Sequence, residues 1–299
     1  MGTVPASWRF DAIGTTWEIV TERPLSAAVR EEVTALVDAF DHTWSRFRPD
    51  SDVSALARAG GSIPAPSDAP PMLDALAAVS DATDGAVNPF VGASLDALGY
   101  GADYSFHDAG PVAAPVDWRE RLVWRGGRLA LTEPATIDVG ALGKGRLVDL
   151  VLEILSRRES GDLIVDAGGD LAVRGRPQRI GLEHPFDPRR AIGVWEVTDA
   201  ALCASAINRR AWPSATGTTL HHVLDARTGE PVRTIAATWA VASDAMTADA
   251  IATALFFDGG PSLAHEWAVE WVRMTTDGRV EWSPRCRADL FVRTDSVGR

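Results

Sequence analysis

The amino-acid sequence predicts an α+β fold in a single domain spanning residues 1–299, and three observations predict it. Strand-like and helix-like stretches are mixed without the regular strand–helix–strand rhythm of a parallel sheet. No internal repeat, heptad run or low-complexity linker divides the chain. Hydrophobic residues make up 46% of 299, enough to bury one sizeable core.

Taken in order, Trp8 to Glu22 alternates apolar and polar residues around Gly14, the period-two pattern of one or two strands. From Ser26 to Phe47, Val29, Val33, Leu36, Val37, Phe40 and Trp44 recur at helical spacing, with Pro24 and Ser26 as a start signal. Arg58 to Pro71 is rich in Gly, Ala, Ser and Pro and is expected to be a loop. A helix follows at about Met72 to Thr83, ending at Asp84-Gly85. Residues 86–117 read as irregular connections, and Arg121 to Leu131 as a hairpin turning at Gly126-Gly127. Asp149 to Arg157 is predicted helical and Leu163 to Asp166 a short buried strand, with Gly-rich turns and strands continuing to about Glu196. A strand returns at Thr238 to Ala242, then a helix from about Ala245 to Phe257. The last forty residues predict one more helix and two short strands.

Charge limits the partners. The formal net charge is −12, a balance that repels nucleic acid and anionic membrane, so neither is expected as a partner. No apolar run reaches the roughly eighteen residues needed to span a bilayer. Met1-Gly2-Thr3-Val4-Pro5 lacks the basic and apolar regions of an export signal, so the expected location is cytoplasmic. Cys203 and Cys286 are expected as reduced thiols, because a disulfide framework needs more cysteines in a shorter chain. An acidic surface also repels a dianionic dinucleotide, which would need a local cation to enter. Of the 29 basic residues only Lys144 is lysine, so its compact ammonium group stands out among arginines.

Four segments carry candidate chemistry. Asp138-Val139-Gly140-Ala141-Leu142-Gly143-Lys144-Gly145 runs from a strand-like stretch toward a helix. Its glycines permit close backbone approach and Lys144 offers a charge to phosphate, although the spacing is not Walker A and also fits an ordinary strand-to-helix turn. Leu163-Ile164-Val165-Asp166-Ala167-Gly168-Gly169-Asp170 leads an apolar strand into a double glycine and a carboxylate, a nucleotide-holding turn or simply a tight one. His221-His222-Val223-Leu224-Asp225-Ala226-Arg227-Thr228-Gly229 gathers acid–base groups in what also reads as a hairpin. A histidine so near a carboxylate would be held in a single tautomer and could act as a general base. In Asp244 to Thr253, Asp249 and Thr253 share a helix face and offer oxygen to a hard cation such as magnesium. Helix capping by Asp244 or Thr247 is the alternative there.

Together and in this order, these pieces resemble the ApbE family of FAD:protein FMN transferases. The resemblance runs from Ile13-Gly14-Thr15 to Thr253-Ala254-Leu255. It includes Ser51-Asp52-Val53-Ser54, Gly85-Ala86-Val87-Asn88-Pro89, Lys144-Gly145 with Asp149, Gly168-Gly169-Asp170, and His222-Val223-Leu224-Asp225 with Thr228-Gly229. It implies an ApbE-like domain of mixed sheets and helices around a flavin-binding cleft, with FAD as substrate and Mg2+ as cofactor. Asp138 and Lys144 are implied to contact FAD. Ala141, through its carbonyl, would hold magnesium with Asp249 and Thr253. Ile13, Phe47, Ala86, Val87, Asn88 and Val223 are implied around the flavin, and His222 in catalysis with Asp249. The implied partner is a protein carrying an acceptor threonine in a Ser/Thr-Gly-Ala-Thr-like sequence. FAD hydrolysis to FMN and AMP, and FAD binding without cleavage, are the alternatives. Departures from the family pattern fall around the flavin rather than on the metal ligands. They are Ile13 for methionine, Ala57 for asparagine, Asn88 for aspartate, and Ala204-Ser205-Ala206 for Thr-Ser-Gly, with Arg210 following at the expected place.

Overall fold

Ala6–Ala12 and Thr15–Thr21 pair antiparallel across a two-residue turn, Ile13-Gly14, in which both residues have positive φ. The computed structural model describes residues 5–214, 217 and 219–291; the N-terminal reading of Met1 to Val4 lies outside them. This hairpin forms one edge of an eight-stranded antiparallel sheet. The sheet continues through Leu163–Asp166, Asp170–Arg174, Ala200–Ala206, Ile235–Ala242, Glu270–Thr275 and Val280–Trp282. Every neighbouring pair is antiparallel, in keeping with α+β rather than βαβ architecture.

Alternation along the central strands divides the core. Cys203 and Ala240 face a layer of helices, while Leu202, Trp239 and Val241 face a small sheet of Gln178–His184, Asp187–Val197 and Asp289–Leu290. Ile235–Ala242 is buried almost throughout because both its faces are covered. On the helical side, Gly143–Arg158 and Ala245–Ala254 lie on the sheet, with Ala27–Trp44 and Ala69–Ala82 packed outside them. Val29, Val33, Val37, Phe40 and Trp44 form the buried stripe of the first helix, and the Ser26 hydroxyl accepts the Val29 amide at its start.

Several expectations change at the boundaries. The stretch predicted as a loop from Arg58 to Pro71 contains the end of a helix, Asp52–Ala59, and a strand, Gly61–Pro64, paired with Arg128–Leu131. The next helix begins at Ala69, because Pro70 and Pro71 are tolerated in a first turn that has no amide partners to lose. The connection 86–117 includes a short helix, Gly92–Ala97. The helix expected from Asp149 begins six residues earlier, at Gly143, so Lys144 and Gly145 belong to its first turn rather than to a loop. The helix from Ala245 ends at Ala254, short of the predicted Phe257. The hairpin turning at Gly126-Gly127 is present, both glycines having positive φ. Cys203 and Cys286 are free. Among the described residues no helix is long and apolar enough to cross a membrane.

Candidate active site

The site is organised by a close crossing of two helix starts. A Cβ at Gly145 would overlap the carbonyl of Ala245 and crowd the Asp249 side chain, so only glycine lets these helices approach so nearly. The approach places the Gly145 amide 2.9 Å from Asp249 Oδ2, which accepts its hydrogen bond. One helical turn further, the Thr253 hydroxyl donates to the Ala141 carbonyl at 3.2 Å. Ala141, Asp249 and Thr253 are thereby brought together across more than a hundred residues of sequence.

Asp249 is buried, and burial raises its carboxyl pKa, opposed by the Lys144 ammonium, the Gly145 amide and the Arg210 guanidinium. A carboxylate, a carbonyl and a hydroxyl form the oxygen donor set of a hard divalent cation. Among the described residues no three His, Cys, Asp or Glu side chains gather as a metal cluster. Only one member of this donor set is a side chain of those types, so a cation here would depend equally on backbone and hydroxyl oxygens.

Lys144 forms an ion pair with Asp170, whose carboxylate is fully buried at the start of strand Asp170–Arg174. The Ala204 amide donates to Asp170 Oδ1 at 3.3 Å. The double glycine Gly168-Gly169, with positive φ at both positions, makes the turn that delivers this aspartate. Asp149 takes a different part: its two oxygens accept the Ala245 and Met246 amides at 2.7 and 2.9 Å, capping the second helix alongside Asp244. Burial nonetheless pushes its pKa up to about 6.

His222 joins the same cluster. Its imidazole is pushed down to about 3, first by burial and then by Arg210, with smaller contributions from His221 and Lys144. Nδ1 is buried and has no hydrogen-bond partner among the described residues. Asp225, the next carboxylate along the sequence, is bound by Arg227 in the turn between Leu224–Asp225 and Glu230–Pro231. Tertiary folding brings the Arg210 and Lys144 charges to bear on His222. His221 points elsewhere, with Nε2 at 2.8 Å from the Val232 carbonyl, and burial holds it at about 4.

Asp138 lies three residues before Ala141 in the chain. Its Oδ1 accepts the Gly140 amide at 2.7 Å and its Oδ2 accepts Arg46 Nε at 2.6 Å. The Arg46 guanidinium lies 4.1 Å from the ring centroid of Phe47. Phe47 stacks on Tyr104 with 5.4 Å between centroids, and Tyr100 stacks on Trp212. Arg210 is hydrogen-bonded to Tyr100, linking this aromatic cluster to His222 and Asp249. Ile13 occupies the turn beside Gly14, whose added Cβ would lie 3.9 Å from Arg210. Ala86, Val87 and Val223 are buried in the core. Asn88 donates to the Pro115 carbonyl at 2.9 Å and accepts the Phe90 amide at 2.8 Å, so both ends of its amide hold the connecting loop.

Motif reading left Arg46, Tyr100, Tyr104 and Trp212 out of the site. The first adjoins Phe47 in sequence, a weak signal; the others come from segments with no recognisable pattern.

A family model described as the ApbE family matches residues 13–273. The chain belongs to the ApbE family. Among similar curated proteins, the FAD:protein FMN transferase of Rhodobacter capsulatus is 27% identical, over 96% of this chain and 59% of that protein. The chain thus spans about three fifths of the length of that relative. The FAD:protein FMN transferase of Vibrio cholerae is 25% identical, over 86% of this chain and 83% of its own length. The crystal structure of an ApbE protein from Thermotoga maritima superposes with a TM-score of 0.82 at 23% identity, covering 94% of this chain and 97% of that one. The flavin transferase ApbE from Vibrio cholerae does so with a TM-score of 0.77, covering 94% and 97%. These likenesses show the ApbE fold.

Proposed function

We propose that this ApbE-family chain is a magnesium-dependent FAD:protein FMN transferase, moving FMN from FAD to a threonine hydroxyl of a target protein and releasing AMP. The observation that carries the reading is the meeting of the Ala141, Asp249 and Thr253 oxygens beside Lys144, Arg210 and His222. This is a cation-ready patch in an otherwise acidic molecule. The relatives' names supply the transferred group.

Ala141, Asp249 and Thr253 would hold magnesium, which when bound would offset charge on the pyrophosphate. Lys144 and Arg210 would orient the phosphate oxygens. The acceptor hydroxyl oxygen attacks the phosphorus on the FMN side, and the bond from that phosphorus to the bridging oxygen breaks. AMP leaves with the bridging oxygen. The hydroxyl proton passes to a carboxylate or imidazole, Asp249 or His222. Burial first, and the Arg210 and Lys144 charges after it, make His222 a weak base in the free protein; pyrophosphate bound against these two cations would neutralise them and raise its basicity. The flavin would lie near Phe47 and Ile13, with Asp138 accepting a hydrogen bond from the ligand.

The test is incubation with FAD and a peptide bearing a Ser/Thr-Gly-Ala-Thr-like motif, with and without magnesium. AMP release with an FMN-sized mass gain on the peptide is expected only with magnesium. AMP with free FMN would replace transfer by hydrolysis, and bound, intact FAD would leave a binding protein.

A further inference from the structure

Arg46 uses all three of its guanidinium nitrogens and one of its faces, with only 4% of its side chain exposed. Nε donates to Asp138 Oδ2 at 2.6 Å, Nη1 to Asp96 Oδ1 at 2.8 Å, and Nη2 to the Tyr100 carbonyl at 2.9 Å. The guanidinium plane meets the Phe47 ring at 4.1 Å and the Tyr100 ring at 5.5 Å from their centroids. Two distant segments therefore meet on one side chain, the approach to helix Gly143–Arg158 through Asp138 and the end of helix Gly92–Ala97 through Asp96 and Tyr100, while the neighbouring Phe47 covers its face. Only a planar cation with several donors can serve these acceptors and a ring face at once; a lysine ammonium presents neither the fork nor the flat face.

Asp138 is held from both sides, by Arg46 on Oδ2 and by the Gly140 amide on Oδ1. Each carboxylate oxygen can accept more than one hydrogen bond, so a carboxylate fixed in this way retains capacity for a donor on a ligand. Fixing it beforehand removes an ordering cost from binding.

We propose that Arg46 is a positioning residue of the FAD site, setting the Asp138 carboxylate and the Phe47 ring at a fixed spacing so that a hydrogen-bond donor and a planar ring of one ligand are recognised together. This inference rests on the FAD reading above. Its signature is coupling: Arg46 matters for FAD because Asp138 is there to be held.

A double-mutant cycle on FAD affinity tests it, using titrations of wild type, Arg46→Met, Asp138→Ala and the double variant, with urea unfolding of each as the check on folding. Arg46→Met is expected to weaken FAD by about tenfold or more in the wild-type background and by less than about twofold in the Asp138→Ala background. Should Arg46→Met fail to fold, Arg46→Lys completes the cycle with the charge kept and the fork removed. An equal loss in both backgrounds would reduce Arg46 to a structural cation and overturn the inference while leaving FAD binding intact. Wild-type protein that binds no FAD would overturn the FAD reading itself, and this inference with it.

Discussion

The Gly145 amide donates to Asp249 Oδ2 at 2.9 Å, and the same glycine has no room for a side chain against the Ala245 carbonyl. One residue thus sets both the distance between two helices and the aim of the buried carboxylate. Gly145→Ala is expected to cost about 1–3 kcal/mol of stability through overpacking and to reduce AMP release from FAD more steeply than the stability loss explains. Urea midpoints and turnover on the same preparation check this. An unaltered turnover would separate the helix crossing from the chemistry.

Asp249→Asn retains an oxygen that accepts the Gly145 amide but removes the charge. The fold should survive, and magnesium-dependent AMP release should fall by roughly a hundredfold or more. Chelation of wild-type protein should have the same effect and be reversed by added magnesium. Turnover in Asp249→Asn equal to wild type would take this carboxylate out of the proposed metal site.

Lys144→Met leaves the fully buried Asp170 carboxylate without its cation. Removing one partner of a buried pair costs about 3–5 kcal/mol, whereas adding Asp170→Asn to the same chain removes the stranded charge and should recover much of that loss. FAD affinity should stay weak in both variants, because the ammonium is missing from each. Recovered affinity in the double variant would mean that Lys144 acts only on the fold.

His222 and His221 are held by burial at about 3 and about 4, below their ordinary value. A histidine whose pKa is lower folded than unfolded takes up protons on unfolding. Its contribution is therefore complete above the unfolded value and is lost as pH falls toward the folded one. Asp149, raised to about 6, works in the opposite direction, its contribution being lost as pH rises from the ordinary aspartate range toward 6. Between pH 7.5 and 4.5 each histidine should lower stability by on the order of 2 kcal/mol, and His222→Asn should remove about half of that slope. A urea-midpoint profile in both proteins gives the comparison; parallel profiles would remove His222 as a cause.

Ile13 sits at φ 43 in a two-residue hairpin turn, a backbone region that β-branched residues avoid and asparagine accepts. Ile13→Asn should raise stability by about 0.5–1 kcal/mol while weakening FAD, if an apolar contact to the flavin is what retains the isoleucine. Equal FAD affinity with higher stability would show that the strain serves nothing at this site.

The α+β class, the core stripe of the first helix and the ordered motifs that place the chain in the ApbE family were legible in sequence, because each rests on local periodicity or short spacing. The i, i+4 pairing of Asp249 with Thr253 was legible for the same reason. Boundaries were less so: Lys144 lies inside a helix whose glycine-rich start masks its propensity, and a Pro-Pro pair proved to open a helix rather than extend a loop. Sequence proximity also misled in this stretch, where Asp225 is taken by Arg227 and the charges that act on His222 come from Arg210, in the turn before strand Ala211–Pro213, and Lys144, at the start of helix Gly143–Arg158.

By itself the sequence determined which residues could do chemistry and the family to which they belong, since side-chain type and spacing are carried along the chain. Tertiary structure decided which of them meet. The Gly145–Asp249 contact, the Lys144–Asp170 pair and the Arg46 clasp on Asp138 each join residues far apart in the chain. Their geometry comes from close packing of helices on a sheet, where side-chain volume and buried charge, rather than local propensity, select the arrangement.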